Sequence, residues 1–448
     1  IDDVGKLTTD DLPGRADLAW ASFPCQDLSL AGDYVGLKGE RSGTFWPFWR
    51  LMKALVEEGR APTMVVLENV CGALTSHGGK DFAAIGAALA GGDYRFGALV
   101  MDAVRFVPQS RPRLFVVAIR KEKAVPANLA LPEAGPLWHP ENLVIAYEKL
   151  SERSKDAWVW WSLPAPPARK LRFADVIEDE PRGVSWHTAA ETERLLSLMS
   201  PINRKKVEQA MRMGKRMVGG IYKRTRKDEN GSRVQRAEIR FVDVAGCLRT
   251  PVGGSSRQII MIVEGKKVRT RLLAPREAAR LMGLPETYKL PANYNDAYHL
   301  VGDGVVVPVV RFLAAHLLEP LLADVAEDAH GSGSLPRMGG GMLRVSTRRH
   351  GVVAAFGPRV AAGHPTDRQP AAATAAVLAH GIESVGRAGR VIAAYLAVQG
   401  TDQRAVGTQQ ADQEVLHVPL RATAPPPSTA APGSSRARQC PKSAPSPS

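Results

Sequence analysis

Strand-like and helix-like patterns alternate between residues 17 and 120. Two short apolar runs, DLAWASF at residues 17–23 and TMVVLEN at residues 63–69, end in polar residues, as buried parallel strands do. Between them, FWPFWRLMKALVEEG carries apolar residues at helical spacing, and DFAAIGAALA predicts a further helix. Residues 95–120 predict two strands around a proline-bearing turn. This alternation predicts an α/β sheet, whose functional groups lie at the carboxyl ends of the strands.

The alternation stops between residues 121 and 270, where we predict a smaller second domain. This segment has a helical stretch around residues 188–213 and a basic run over residues 204–240, with 13 Lys and Arg against 4 Asp and Glu. A run of this kind is as often a solvated face as a binding surface. The Gly- and Ser-rich TPVGGSSRQ follows at residues 250–258, and IIMIVEG after it has the pattern of a strand.

Helical spacing returns over residues 271–330, and the composition changes after residue 330. Pro275 stands where a first helical turn tolerates proline, Gly283 stands where a helix ends, and residues 305–329 predict an amphipathic helix. We therefore assign residues 1–120 and 271–330 to one domain and residues 121–270 to another. The tail, residues 331–448, has one lysine and two aromatic residues, and we predict it to be disordered, apart from one short helix that residues 390–399 could form.

The formal net charge of +14 favours a polyanionic partner. The tail holds 13 Lys and Arg against 5 Asp and Glu, so eight of these charges lie outside the two predicted domains. The four cysteines include no Cys-x-x-Cys pair, which favours a reducing, cytoplasmic setting and argues against a metal site. No uninterrupted apolar run reaches the roughly 18 residues that span a bilayer, so no membrane partner is expected.

Cys25 lies in ASFPCQDLSLAG, directly after the first predicted strand. A cysteine in such a place is more often inert and buried than catalytic. However, the polar residues that follow it place it at a strand's carboxyl end facing a loop, and no Cys or His nearby suggests a metal or a disulfide.

Glu68 ends the second strand, where an unpaired buried charge is costly. It therefore either pairs in a structural role or acts as an acid whose raised pKa lets it donate a proton near neutral pH.

Gln109, Arg111 and Arg113 alternate along QSRPR. Period two on an extended segment places all three side chains on one face. That face is either an outward basic surface or a set of groups that suits a phosphate and a base edge.

Five motifs in this order resemble those of bacterial DNA cytosine-5 methyltransferases. They are the nucleophile loop FPCQ, the Glu-Asn-Val motif in LENV, the Gln-x-Arg-x-Arg motif in QSRPR, and the two closing motifs RLLAPREAARLMGLP and VGDGVVVPVV. A variable recognition segment stands between the third and the fourth, as in the family, and the resemblance covers roughly residues 3–322. It implies a Rossmann-like S-adenosylmethionine-dependent methyltransferase sheet with a smaller target-recognition domain.

The resemblance also implies the reaction and the roles of four residues. Cys25 would attack carbon 6 of a cytosine flipped out of duplex DNA, and Glu68 would contact the ring nitrogen and the amino group. Arg113 would hold the base carbonyl, and Arg111 would lie near the backbone or the nucleophile loop. The methyl donor would be S-adenosylmethionine, and a monomer with a cognate restriction endonuclease as functional partner is expected.

Further residues are implied to bind the cofactor or the DNA. The cofactor pocket is expected to involve Asp3 in DDVGKL, where Asp2 replaces the family's usual glycine, together with Phe23, Pro24, Phe45, Asp303, Gly304 and Val305. DNA contacts are expected from Gln109 and from a recognition loop that contains Gly253, Gly254, Ser255, Ser256 and Arg257.

The chain begins at Ile1, and the family's glycine-rich cofactor loop, Phe-x-Gly-x-Gly, is not found before Cys25. We therefore expect a truncated methyltransferase in which residues 17–23 form an unpaired sheet edge. Such a protein is expected to bind the cofactor poorly and to aggregate. The alternative is a non-catalytic DNA-binding remnant of such an enzyme. A transfer-RNA methyltransferase of the same superfamily is less favoured, because that branch usually has a different triplet after the nucleophile proline and a much smaller recognition segment.

Overall fold

The computed structural model describes residues 4–12, 14–23, 45–228, 230–249 and 257–322, and the backbone of two strands at Val353–Phe356 and Val391–Tyr395. Cys25 and the other predicted site residues Asp3, Pro24, Gly253, Gly254, Ser255 and Ser256 lie outside the described residues.

Residues 17–120 form the predicted α/β arrangement. The elements are β1 (Leu18–Ser22), α1 (Phe45–Glu57), β2 (Met64–Asn69), α2 (Lys80–Gly91), β3 (Tyr94–Asp102) and β4 (Pro112–Arg120). β1 pairs in parallel with β2, while β4 runs antiparallel to both β2 and β3. The sheet is thus parallel between β1 and β2 and antiparallel from β2 through β4 to β3, so Glu68 and Arg113 belong to an antiparallel pair of strands.

Two apolar cores cover the two faces of this sheet. Trp20, Met64 and Val66 point into one core, whereas Ala19, Val65 and Leu67 point into the other. Because both faces are covered, every residue of β1 and β2 is buried, which explains their nearly continuous apolar sequence. α1 packs on the second core through Phe45, Phe48, Met52 and Leu55, which recur at helical spacing.

The segment predicted as a second domain contains a separate four-stranded antiparallel sheet. The segment begins with two short strands, β5 (Ala130–Leu131) and β6 (Trp160–Trp161), and with two helices between them, α3 (Glu141–Glu148) and α4 (Glu152–Asp156). The elements of the four-stranded sheet and of the helices that pack on it come after these. They are α5 (Ala189–Ser197), α6 (Pro201–Arg212), β7 (Met217–Lys227), β8 (Arg233–Arg240), β9 (Ile259–Glu264) and β10 (Lys267–Leu272). The strand order is β10-β9-β7-β8, and this sheet and its helices share a third, smaller core.

The closing motifs form three helices, α7 (Pro275–Leu281), α8 (Tyr294–Asp303) and α9 (Val307–Leu313). α7 ends before Gly283, which has φ +72°, and a Cβ there would lie 2.3 Å from Cδ of Pro308. Only glycine fits this junction. A π-helical turn at Ala314–Leu318 continues α9, and the predicted helix is confirmed as far as Leu322.

Among the described residues, Tyr294–Leu322 is the stretch that is long and apolar enough to be compared with a membrane-spanning helix. Its apolar side chains, among them Leu313, Leu317 and Leu318, are buried in the first core. Burial of this kind is typical of a core helix of a globular domain.

Two strands from the tail change the expected sheet edge. β12 (Val391–Tyr395) pairs in parallel with β1, and β11 (Val353–Phe356) pairs in parallel with β12. The predictions of an unpaired edge at residues 17–23 and of a short helix at residues 390–399 are therefore wrong. The physical reason is that the backbone of β1 has hydrogen-bonding groups along both of its edges. β2 pairs with one edge, and β12, which is distant in sequence, pairs with the other. The six-stranded order is β11-β12-β1-β2-β4-β3.

Candidate active site

The carboxyl ends of β1 and β2 lie side by side. Ser22 pairs in register with Glu68, so the chain leaving β1 starts beside this carboxylate. The side-chain amide of Asn69 donates a hydrogen bond to the backbone oxygen of Phe23 at 3.2 Å. The second residue of the Glu-Asn-Val motif thus anchors the residue that lies two positions before Cys25.

Glu68 forms an ion pair with Arg113. Oε1 of Glu68 lies 3.2 Å from Nε of Arg113, and the two side chains are 10% and 16% exposed. Glu68 comes from the end of β2 and Arg113 from the start of the neighbouring strand β4. A largely buried carboxylate beside a guanidinium can bind a planar ring that has both hydrogen-bond donors and hydrogen-bond acceptors on its edge.

Arg111 turns inward and holds three segments of the chain together. Its Nη1 donates to the backbone oxygen of Leu248 at 2.8 Å and to Sγ of Cys247 at 3.2 Å. Its Nη2 donates to the backbone oxygens of Gly302 and Gly304, at 2.8 and 2.9 Å. The predicted position of Arg111 near backbone is observed, but its partners belong to the recognition segment and the last motif.

Gln109 is fully buried, and both ends of its amide bind protein backbone. Nε2 donates to the oxygen of Leu281 at 2.8 Å, and Oε1 accepts from the nitrogen of Leu248 at 3.1 Å. Gln109 and Arg111 both bind Leu248, and Arg113 acts on the neighbouring Cys247, so the three side chains face one segment of the chain, as the period-two pattern predicts. Gln109 and Arg111 are buried, so they do not form an outward basic surface, and a contact of Gln109 with a base edge stays a prediction.

The thiols of Cys71 and Cys247 lie close to these arginines, and no sequence motif singles out either residue. Burial raises the pKa of Cys71 to about 11, although Arg113 opposes this effect. Burial would also raise the pKa of Cys247, but the charges of Arg111 and Arg113 outweigh it, and the net shift is downward. Cys247 is separated from Arg111 by more than a hundred residues of sequence, so only the fold reveals their contact.

The residues predicted to bind the cofactor form two groups among the described residues. Phe23 and Phe45 are in contact, with ring centroids 5.6 Å apart. Asp303, Gly304 and Val305 follow one another at the end of α8, and Gly304 is one of the backbone acceptors of Arg111. Arg257, from the predicted recognition loop, donates to Oδ1 of Asn295 at 2.5 Å and lies over the ring of Tyr294.

Asp303 makes stability depend on pH. Burial raises its pKa to about 7, and the charge of Arg111 opposes this. In the unfolded chain the pKa of this group is near ~4. The protonated carboxyl therefore stabilises the folded state fully at pH values below the unfolded pKa, and this stabilisation is lost as pH rises from there through 7. In Asp303→Asn this titration is absent, so the free energy of unfolding of the variant relative to the wild type should rise by roughly 2–4 kcal/mol between about pH 5 and about pH 8.

Urea unfolding of both proteins at the two pH values measures this difference. Asp296→Asn, which removes one carboxyl group near the start of the same helix, is the control for the loss of a charge from α8. A difference between D303N and wild type that is the same at both pH values would contradict the prediction.

Comparison with known proteins identifies the family. The model of the C-5 cytosine-specific DNA methylase family matches residues 1–319, and the chain belongs to this family. The buried Glu68–Arg113 pair and the sheet that presents it are therefore parts of a methylase domain.

Three similar proteins are bacterial type II methyltransferases. M1.ScrFI of Lactococcus lactis subsp. cremoris is 25% identical over 322 residues, which cover 71% of this chain and 66% of that protein. M.SsoII of Shigella sonnei is 25% identical over 322 residues (71% and 68%), and M.HhaI of Haemophilus parahaemolyticus is 23% identical over 316 residues (70% and 79%). The chain thus spans slightly less than two thirds of the length of M1.ScrFI.

Two solved structures are also similar. The S. pombe Dnmt2 methyltransferase is 18% identical, with 71% of this chain and 83% of that chain covered and a TM-score of 0.41. The Entamoeba histolytica methyltransferase EhMeth is 13% identical, with 72% and 83% covered and a TM-score of 0.45.

Proposed function

We propose that this protein transfers a methyl group from S-adenosylmethionine to carbon 5 of a cytosine flipped out of duplex DNA, through a covalent bond between Cys25 and carbon 6. The observation that carries the proposal is the Glu68–Arg113 pair beside the chain that leads to Cys25. Membership of the C-5 cytosine-specific DNA methylase family supports the same reaction. A stacked base cannot be reached from both faces, which is the reason for extrusion.

Each protein group has a distinct task in this proposal. Arg113 accommodates the base carbonyl, and Glu68 binds the ring nitrogen and the amino group. Both contacts favour the charge that develops on the ring when the Cys25 thiolate adds to carbon 6. Once carbon 5 carries the methyl group, loss of its remaining proton to water and breakage of the sulfur–carbon bond restore the double bond of the ring and regenerate the Cys25 thiolate. Arg111 and Gln109 hold the recognition segment and the last motif in place.

The residues near the site suit the methyl donor. The rings of Phe23 and Phe45 pack against each other and are 5% and 0% exposed, an apolar environment of the kind that an adenine ring needs, and the carboxyl of Asp303 lies near Arg111. When bound, S-adenosylmethionine would supply an electrophilic methyl group. Phe23, Phe45 and residues 303–305, with Asp3 and Pro24 from outside the described residues, are proposed to hold it.

The proposed partner is double-stranded DNA, bound by a monomer. Arg257 and the loop residues before it are proposed to face the duplex. The similar bacterial proteins are named type II methyltransferases, which supports a cognate restriction endonuclease as functional partner.

Duplex DNA that contains 5-fluorocytosine tests this function, because carbon 5 then has no proton to lose and the covalent bond persists. We expect wild-type protein with S-adenosylmethionine to give an adduct that survives denaturing electrophoresis, with the cross-link mapped to Cys25 by mass spectrometry. Cys25→Ser should give none. Cys71→Ser removes a second thiol, one that lies near Arg113, and is the matched control that should retain the adduct.

An adduct that maps to another residue would overturn the assignment of Cys25. If duplex DNA binds but no adduct forms, the chain is a non-catalytic DNA-binding remnant, which is the alternative function.

A further inference from the structure

Cys247 lies next to a residue that the QSRPR motif holds at both backbone atoms. The backbone nitrogen of Leu248 donates to Oε1 of Gln109 at 3.1 Å, and its backbone oxygen accepts from Nη1 of Arg111 at 2.8 Å. The same Nη1 donates to Sγ of Cys247 at 3.2 Å. The motif therefore fixes where this thiol lies, although more than a hundred residues separate the motif from Cys247 in sequence.

Arg111 is a rigid support for the sulfur. Its Nη2 donates to the backbone oxygens of Gly302 and Gly304, at 2.8 and 2.9 Å, and the residue is only 4% exposed. With the oxygen of Leu248, three backbone acceptors hold this guanidinium without help from the thiol. Loss of the thiol should therefore leave Arg111 in place, so variants of Cys247 should keep the fold.

The side chain of Arg113 donates a further hydrogen bond to the thiol of Cys247. Arg113 has two other anchors, since its Nε lies 3.2 Å from Oε1 of Glu68 and its Nη1 donates to the backbone oxygen of Pro112 at 2.9 Å. The planar guanidinium forms good hydrogen bonds to a base carbonyl only when it is aligned with it. Two anchors of Arg113 thus come from the large sheet, and the third comes from the predicted target-recognition domain.

The thiol of Cys247 ionises more readily than an ordinary cysteine does. The titratable groups that interact with it are Arg111, Arg113, Arg249, Tyr222 and Tyr298. Burial raises the pKa of Cys247, but the charges of the three arginines outweigh burial, and the net shift is downward. Burial raises the pKa of both tyrosines, so they stay neutral near pH 7. A thiolate accepts more strongly from a guanidinium than a neutral thiol does.

We propose that Cys247 is a positioning residue for methyl transfer, which holds Arg113 in the orientation that receives the base carbonyl. The inference rests on the proposed function, because the contact of Arg113 with the base belongs to that function. Cys247 acts through the guanidinium and does not touch the cytosine ring. Because Arg111 binds the same sulfur, the placement of the predicted target-recognition domain is coupled to the arginine that binds the base.

Alkylation of Cys247 tests its contact with Arg113 without any catalytic step. The rate of its reaction with iodoacetamide is followed by mass spectrometry of the Cys247 peptide as a function of pH, because the thiolate is the reactive form. Arg113→Gln should lower this rate near pH 7 about tenfold, because it removes an adjacent positive charge. Lys53→Gln removes an exposed positive charge from α1 and should leave the rate unchanged.

The kinetics of methyl transfer test the positioning. Cys247→Ala should lower kcat about tenfold, because a small displacement of a group that binds the substrate is costly, and should change KM for the duplex less than about twofold. Cys247→Ser keeps an acceptor for Arg113 without the charge and should recover part of this loss. Cys71→Ala is the matched control. Burial raises the pKa of Cys71 to about 11, so this variant removes a neutral thiol near the same arginine and should change neither quantity.

A double-mutant cycle separates positioning from a general effect on packing. Lysine at position 113 has no planar fork to align, so in the Arg113→Lys background Cys247→Ala should lower kcat by less than about twofold. Equal losses in the two backgrounds would show that Cys247 acts through packing and not through Arg113. Thermal unfolding of each variant shows whether the fold is intact.

Three further results would overturn the proposal. The first is a kcat of C247A equal to that of the wild type. The second is a loss confined to KM, which would make Cys247 a contact for DNA. The third is an alkylation rate that R113Q leaves unchanged. A wild type that forms no 5-fluorocytosine adduct and transfers no methyl group would overturn the proposed function and this inference with it, whereas an active wild type with equally active Cys247 variants would count against this inference alone.

Discussion

Glu68→Gln is expected to lower the rate of methyl transfer by about 10²–10⁴-fold, the usual range for losing one positioned acid or base. Gln keeps the size of the side chain and an oxygen that can still accept from Arg113. It removes the negative charge and the ability to bind the ring nitrogen through a shared proton. The rate of 5-fluorocytosine adduct formation should fall together with the methylation rate. Both reactions begin when the Cys25 thiolate adds to carbon 6, and both therefore need the negative charge that develops on the ring to be stabilised.

Glu122→Gln is the matched control. Oε1 of Glu122 lies 3.1 Å from Nε of Arg120, nearly the same geometry as in the Glu68–Arg113 pair, but its side chain is 53% exposed. Methylation and adduct formation by E122Q should equal those of the wild type. Equal rates for E68Q and wild type would show that Glu68 only balances the charge of Arg113.

The helices and strands near the site are predictable because their burial is local and periodic. β2 is buried at every position and α1 at every third or fourth, so their residue patterns alone indicate a covered strand and a one-sided helix. The need of Glu68 for a partner is also visible in the sequence, because an unpaired carboxylate at a buried strand end is costly, but the sequence left a pair and an acid as alternatives and did not identify Arg113 as the partner.

The contacts of Gln109 and Arg111 could not be predicted in this way. Their partners, such as Leu248 and Gly302, are more than a hundred residues away in sequence, and no pattern in QSRPR distinguishes an inward from an outward face. The addition of β12 to the sheet is equally non-local, because β1 and β12 are separated by most of the chain. Sequence patterns specify which segments can pair, and the packing of the whole chain decides which of them do.

The last strand of the four-stranded sheet, β10, is joined to the closing helix α7 by a fully buried ion pair. Nη2 of Arg271 lies 2.6 Å from Oε1 of Glu277, Nη1 lies 2.8 Å from Oε2, and both side chains are 0% exposed. Glu277 also accepts from the backbone nitrogens of Glu178 and Ala274, each at 2.7 Å. Arg271 donates to the oxygen of Glu178 at 2.7 Å and lies under the ring of Trp186. One pair of side chains thus joins the loop at Glu178, the end of β10 and the start of α7.

Glu277→Ala is therefore expected to lower the free energy of unfolding by about 3–5 kcal/mol, because it leaves the Arg271 guanidinium buried without a counter-ion. It also leaves two backbone N–H groups without an acceptor. Urea unfolding measures the change. Glu286→Ala is the control: Glu286 pairs with Arg280 at 2.7 Å but is 61% exposed, and its loss should cost no more than about 1 kcal/mol.

The double variant Arg271→Met/Glu277→Leu separates the cost of an unpaired charge from the value of the pair itself. Replacing both partners by apolar residues of similar size removes the buried charge, so the double variant should be more stable than E277A, and the remaining loss should reflect the backbone groups that Glu277 and Arg271 bind. If E277A alone were as stable as the wild type, the guanidinium would have found water or another anion, and the two segments would not depend on this contact.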